Sequence, residues 1–454
     1  MQEKGLPTEL GTKNVWKLLV QYAVPSVIAM TAASVYNITD SIFIGQGVGA
    51  LAISGLAVTF PFINLAAAFG SMVGVGASTL MSLRLGQKDY EVANKILGNV
   101  LLLNITLGIL LSVVMLSFLD PILYFFGASY ATIPYARDYM VVILLGNVIT
   151  HMYFGLNALL RASGHPKISM YTTLISVLIN LILTPIFIYK FDWGVRGAAL
   201  ATVISQTLML LWQLKIFTNT NNFIHLQRKA IRFKRKIVFD MLSIGLSPFL
   251  MNVTASAVVI IMNQSLLRYG GDNAVGAFGI INRVAFLFPM VVLGLTQGMQ
   301  PIVGYNYGAG NFSRMNKALK YTIFLATGVT TIGFLIGEFM PRMVASVFTT
   351  DEELIGYSVE GLRIVLIFFP IIGFQMASSY FFQSIGMTKK AIFMSLTRQV
   401  LFLIPGLLIL PSFFGLKGIW YSMPLSDLLS AIVAAFLLAA QYKKTNLLIK
   451  TQNK

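Results

Sequence analysis

The sequence predicts an all-α membrane protein with twelve transmembrane helices in two parallel six-helix lobes around a central cleft, and three observations carry that prediction. Of 454 residues, 56% are hydrophobic and only 11% charged, and the mean hydropathy is +0.77, well outside the usual range of a soluble domain. Apolar runs of about 20 residues, the length a helix needs to cross roughly 30 Å of hydrocarbon, recur from end to end. The chain also matches itself at one nearly constant offset.

The runs fall at 18–44, 53–80, 96–118, 134–160, 168–190, 197–217, 238–266, 275–302, 318–340, 357–380, 391–411 and 418–441. They are continuous rather than alternating in polarity, so they read as helices and not as barrel strands. LGQKDYEVANK (85–95) aligns with YGAGNFSRMNK (307–317) at an offset of 222, and RASGHPK (161–167) with QSIGMTK (383–389) at the same offset. WGVRG (193–197) meets FGLKG (414–418) at 221, and Pro25 meets Pro248 at 223. The chain is therefore read as a tandem duplication of a six-helix unit. Because six is even, both copies start on the same side of the membrane, as parallel repeats suited to alternating access. The expected domains are a first lobe over 1–217, a basic linker over 218–237, and a second lobe with its tail over 238–454.

The formal net charge is +17, and its placement decides its meaning. Cations gather in the amino-terminal tail, the even-numbered loops and the carboxy-terminal tail, with Arg228, Lys229, Arg232, Lys234, Arg235 and Lys236 together in the linker. The opposite loops hold Arg137, Lys190, Arg196, Arg268, Arg342 and Lys417. This is the positive-inside pattern, which predicts two cytoplasmic termini in a plasma membrane and makes lipid, not nucleic acid, the partner. The first run is too long for a signal-peptide core and is expected to be retained.

Several chemistries are not expected. There are no cysteines, hence no disulfide or thiol chemistry. No phosphate-binding G-x-x-x-x-G-K-[ST] loop is present, which argues against ATP-driven transport. His165 and His225 fall in loops and His151 stands alone on the fourth span, so no metal-ligand spacing exists. Neither an enzyme nor a resident cofactor or metal is predicted.

The informative residue is Asp40. An ionised carboxylate in hydrocarbon costs about 3 kcal/mol on insertion scales, so an intramembrane acid normally faces a cavity or a partner. Tyr36 and Asn37 lie one helical turn before it and share its face. Thr202 on the sixth span falls at a similar depth, with Asn180 and Thr184 on the fifth somewhat deeper, so three helices of the first lobe offer polar groups to one locality. A low-dielectric setting disfavours the charged form of a carboxylate, which suits a group that takes up and releases a coupling ion. The position matching Asp40 in the second copy is Asn263 or Met262, neither of which titrates. Arg283 and Asp427 sit about 12 and 14 Å from the outer ends of their spans by the helical rise, and their opposite charges predict a salt bridge, structural or gating. Glu338 and Arg363 near span ends are expected to snorkel. Phe60, Phe154, Met262 and Met290 are candidates to line a substrate cleft.

At these residues the chain resembles a known family. PSVIAMTAASVYNITDSIFIG (25–45), LRASGHPK (160–167), GAFGIINRV (276–284) and QGMQPIVGYNYGAGN (297–311) are similar to the multidrug and toxic compound extrusion transporters, and within them to the DinF-like branch of MepA-type pumps. The resemblance runs from about residue 15 to 441. It implies export of small-molecule drugs, organic cations among them, in exchange for H+, or for Na+ in its place; the carrier is expected to be a monomer. It also implies that Asp40, Tyr36, Asn37, Asn180 and Thr202 form the coupling network, that the first helix bends near Pro25 when the aspartate is protonated, and that Arg283 is the arginine of the branch. Thr184 stands where some relatives carry a second acid, which leaves one carboxylate to do the coupling. Two other readings compete. A lipid-linked sugar flippase of the same superfamily needs a cationic cleft, for which only Arg283 and Arg363 are at hand. A membrane-embedded transferase or hydrolase needs clustered acids, histidines or metal ligands at one membrane face, and the sequence supplies none.

Overall fold

The computed structural model describes residues 8–452, and every regular element among them is helical. In chain order the main helices are α1 (Val15–Gly47), α2 (Ala50–Gly86), α3 (Tyr90–Ser117), α4 (Ile133–Leu145), α5 (Asn147–Ala162), α6 (Pro166–Pro185) and α7 (Gly194–Thr218) in the first half. The second half holds α8 (Arg235–Gly271), α9 (Asn273–Gly308), α10 (Phe312–Phe339), α11 (Glu352–Leu366), α12 (Phe369–Ser384), α13 (Thr388–Phe414) and α14 (Leu416–Gln452). Ten of these are individually long and apolar enough to cross a membrane. The pairs α4/α5 and α11/α12 make two more, bent by 56° and 51°. Twelve crossings result, as the apolar runs predict.

The continuous runs 134–160 and 357–380 are thus each broken, at Gly146 and at residues 367–368, which the repeat register brings into correspondence. A break in lipid leaves backbone groups that only neighbouring helices can satisfy. Ser112 of α3 takes up one of them, donating to the Leu144 carbonyl at 2.6 Å; side chains also tie the broken pairs to their neighbours, with Asn147 Nδ2 donating to the Gly108 carbonyl of α3 at 3.3 Å and Thr330 Oγ1 of α10 lying 3.2 Å from the Pro370 carbonyl. Pro370 itself has no N–H to extend a helix across the second break.

Packing sorts the described residues into two compact units, 28–252 with 8–12 in one, and 13–27 with 253–452 in the other. Each repeat's first helix therefore changes allegiance partway along, two residues after Pro25 in α1 and four after Pro248 in α8. Glycine explains how the seats are made. In the first unit a Cβ on Gly76 of α2 would stand 2.0 Å from the Met241 carbonyl oxygen of α8, and one on Gly245 would stand 1.9 Å from that of Met72. In the second unit a Cβ on Gly298 of α9 would meet Ala23 of α1 at 2.5 Å, and one on Gly294 would meet Val27 at 2.6 Å. Gly76 and Gly298 are 222 residues apart, so the duplication carries its own helix-crossing chemistry. Since lipid is as apolar as leucine, such close backbone approach supplies the dispersion contact that holds membrane helices together.

Each unit also has an apolar core. In the first, Ile44, Phe62, Leu123, Met140, Leu144 and Ile188 are buried together. In the second, Leu266, Phe278, Ile281, Leu362, Phe369 and Trp420 do the same. The basic 218–237 segment is tied to α3 of the first unit, where Asn94 and Asn99 accept from the His225 and Lys234 amides at 3.1 and 2.8 Å.

Candidate functional site

The last turns of α1 carry Tyr36 and Asp40 four residues apart, and α6 carries Asn180 and Thr184 at the same spacing, so each pair projects from one helix face. α7 adds Thr202. All five belong to the first unit. Asp40 is 5% exposed, and Asn180, Thr184 and Thr202 are buried with it.

The hydroxyls order the network. Thr202 Oγ1 accepts from Asn180 Nδ2 at 3.1 Å, lies 2.8 Å from Tyr36 Oη in a bond that either hydroxyl can donate, and has the Ala198 carbonyl at 3.3 Å as a second acceptor for its proton. Thr184 Oγ1 lies 3.3 Å from Asp40 Oδ1 and 3.2 Å from Asn180 Oδ1, but it has a single proton to give. An ionised Asp40 is the stronger acceptor of the two, so the hydroxyl turns to Asp40 when that group is charged and to Asn180 when it is neutral. Asp40 is thereby linked by hydrogen bonds through Thr184, Asn180 and Thr202 to Tyr36, across three helices.

The structure brings Asp40, Tyr36, Asn180 and Thr202 together, while the Asn37 side chain lies outside the described residues. Thr184, which the sequence places in the same polar locality but outside the coupling set, is the residue that bonds Asp40. It also passed over Tyr139 of α4, a buried phenol close enough to Asp40 and Tyr36 to interact electrostatically with both. An aromatic residue in an apolar run reads as packing, and nothing in its spacing says otherwise. Pro25 lies inside α1.

Other expectations need correction or sorting. Asp427 pairs with Arg398 of α13, Nε to Oδ1 at 2.6 Å, not with Arg283. Equal depth fixes position along the membrane normal but not the direction in which a side chain points, and Arg398 was hidden in an apolar run. Arg283 is exposed on α9 and has no ion pair among the described residues. Met262 is 1% exposed within the apolar core, so it has no surface left to line a cleft. Phe60 and Phe154 are exposed, 63% and 50%, and Met290 is partly so.

The comparison with known proteins bears directly on the repeat. The family profile described as MatE matches twice, over residues 25–186 and again over 248–408. The chain belongs to the MatE family. The two matches open at Pro25 and Pro248, the prolines that the internal alignment pairs. The multidrug export protein MepA of Staphylococcus aureus is 28% identical over 421 residues, 92% of each chain. Among solved structures, an outward-facing multidrug resistance MATE family transporter of the MOP superfamily superposes with a TM-score of 0.90 at 26% identity, covering 98% of this chain and 99% of the other. A MATE crystal structure in the bent conformation gives 0.91 at 26% identity, covering 99% of both chains. The MatE fold thus accounts for the whole length, and the many spanning helices make this a multi-pass membrane protein.

Proposed function

We propose that this chain is a secondary active multidrug antiporter that exports cationic and amphipathic organic compounds in exchange for H+ by alternating access, from a plasma membrane with both termini in the cytoplasm. The single observation that carries the reading is Asp40, the buried acid of the first unit, wired to Tyr36, Thr184, Asn180 and Thr202. The MepA relative supports multidrug export, and the distribution of Lys and Arg supports the orientation.

Coupling requires that the ion and the cargo discriminate between states of the protein, each altering the affinity of the other. Ionised Asp40 holds a cation and keeps the Thr184 hydroxyl. A proton arriving from outside cancels the charge, frees that hydroxyl for Asn180 and lowers the affinity for the cationic cargo, which leaves. Na+ would serve in the proton's place only by drawing on the oxygens of Asp40, Asn180 and Thr202 together.

The test uses protein reconstituted in vesicles with a cationic dye under separately imposed proton and sodium gradients. The proton gradient is expected to drive efflux, and Asp40→Asn, which keeps the shape of the side chain, is expected to abolish it while the protein still inserts and folds. Efflux by that variant at near the wild-type rate sinks the reading, and efflux that follows only sodium replaces the ion.

A further inference from the structure

The second unit contains a polar centre of its own, which the coupling network does not use. Asp427 of α14 is 3% exposed and bonds Arg398 Nε of α13, whose side chain is 30% exposed. At the next residue along α13, the Thr254 hydroxyl of α8 bonds Gln399 Oε1, so this stretch of α13 is tied to both α14 and α8.

Two details indicate that this is more than a tie between helices. Arg398 gives only its Nε to Asp427, and its two terminal amino groups have no partner among the described residues. It lies about 15 Å along α13 by the helical rise, where donors turned to lipid cost several kcal/mol. Its exposed edge therefore meets water or a polar ligand. The arginine also stands in a π-helical stretch, Thr397–Leu403, a distortion that re-aims side chains and is frequent at functional sites. At the 222-residue offset that stretch corresponds to 175–181, which is ordinary α-helix within α6. The counterparts of Arg398 and Asp427 in the first unit are Ser176, at the 222-residue offset, and Gln206, at the offset of 221 that holds from residue 414 on, both neutral. The first copy carries its π-helical stretch farther along, at Ile186–Lys190, and has no charged pair at the matching positions, so the two features coincide only at Arg398.

We infer that Arg398, oriented by Asp427, is a binding site in the second unit for the carboxylate of an amphipathic organic substrate. The terminal edge of a guanidinium matches a carboxylate with two parallel hydrogen bonds, a match that lysine does not make. Asp427 holds the guanidinium from behind and fixes its plane. Its negative charge also tempers the affinity for a second carboxylate, as a carrier that must release its cargo requires.

The inference rests on the chain being a carrier of small amphipathic molecules, and its test is binding to detergent-solubilised full-length protein, with no ion gradient. The probes are a rhodamine bearing a free carboxylate and its methyl ester, followed by fluorescence polarisation. Arg398→Gln is expected to weaken the acid by about tenfold or more, the size of a lost charged hydrogen bond, and to leave the ester within about twofold. Arg398→Lys is expected to rescue only part of the loss, and Asp427→Asn to tighten binding of the acid. In the wild type, benzoate is expected to displace the acid but not the ester, a measurement that needs no variant to fold. Equal loss of acid and ester in Arg398→Gln, or benzoate displacing both or neither, overturns this proposal and leaves the carrier reading standing. Failure of the wild type to bind either dye overturns both.

Discussion

Replacing Gly76 by alanine adds one methyl group at a helix crossing and tests how the first unit is held together. The new Cβ would stand 2.0 Å from the Met241 carbonyl oxygen and 2.9 Å from its carbon, whereas carbon and oxygen normally approach no closer than about 3.3 Å. Backbone atoms cannot rotate out of the way, so α2 and α8 must separate by about 1 Å over the whole contact. Overpacking of this kind costs about 1–3 kcal/mol, and a clash with backbone belongs at the upper end. For a unit of this size about 3 kcal/mol lowers the melting midpoint by about 6–12 °C. The control is Gly279→Ala, also inside a helix, where a Cβ meets nothing within 4 Å. There alanine's helix propensity is expected to make the change neutral or stabilising by up to about 1 kcal/mol. Thermal unfolding of the two variants in the same detergent provides the comparison. If Gly76→Ala melts with Gly279→Ala, glycine-mediated approach is not what seats α8 in the first unit.

Two further outcomes follow from the geometry. Thr184→Val keeps the volume and removes the hydroxyl shared by Asp40 and Asn180; a lost hydrogen bond to a charged group is worth about 1.5 kcal/mol at the low end, so proton-driven efflux in vesicles should fall about tenfold, with Thr184→Ser restoring most of it. His165, in the turn between α5 and α6, is held below its ordinary value of 6.5 by burial, opposed by a backbone hydrogen bond at Ser163. The unfolded chain then binds that proton more readily than the folded one, so stability should decline as pH falls through 6.5 and below. His165→Asn should flatten that part of a melting-versus-pH curve; an unchanged slope would assign the acid sensitivity elsewhere.

Much of the site could be read before the fold was known, because a polar residue in an apolar run is costly and helical spacing says which residues share its face. Asp40 with Tyr36, and Asn180 with Thr184, follow from that rule alone. Direction around the helix axis does not follow, which is why Arg283 was matched with Asp427 while Arg398 escaped notice. Nor does hydropathy distinguish a core position from a cavity wall: Met262 and Phe60 look alike in sequence and differ completely in burial. The breaks near Gly146 and residues 367–368 were invisible for a related reason. An apolar run records the length of a crossing, whereas the bend depends on whether a neighbouring side chain, such as Ser112 at the first break, stands ready to take up a released carbonyl.

The exchange of first helices between the repeats bears on how the chain is made. Residues 13–27 leave the ribosome long before Gly294 and Gly298 exist to receive them, so this segment must wait in the bilayer, or be chaperoned, until the second copy has been translated. A half-length product would keep an unfilled berth and a stranded helix end. The same arrangement suits an ancestor that worked as a pair of identical six-helix chains swapping their leading helices, later fused into one polypeptide.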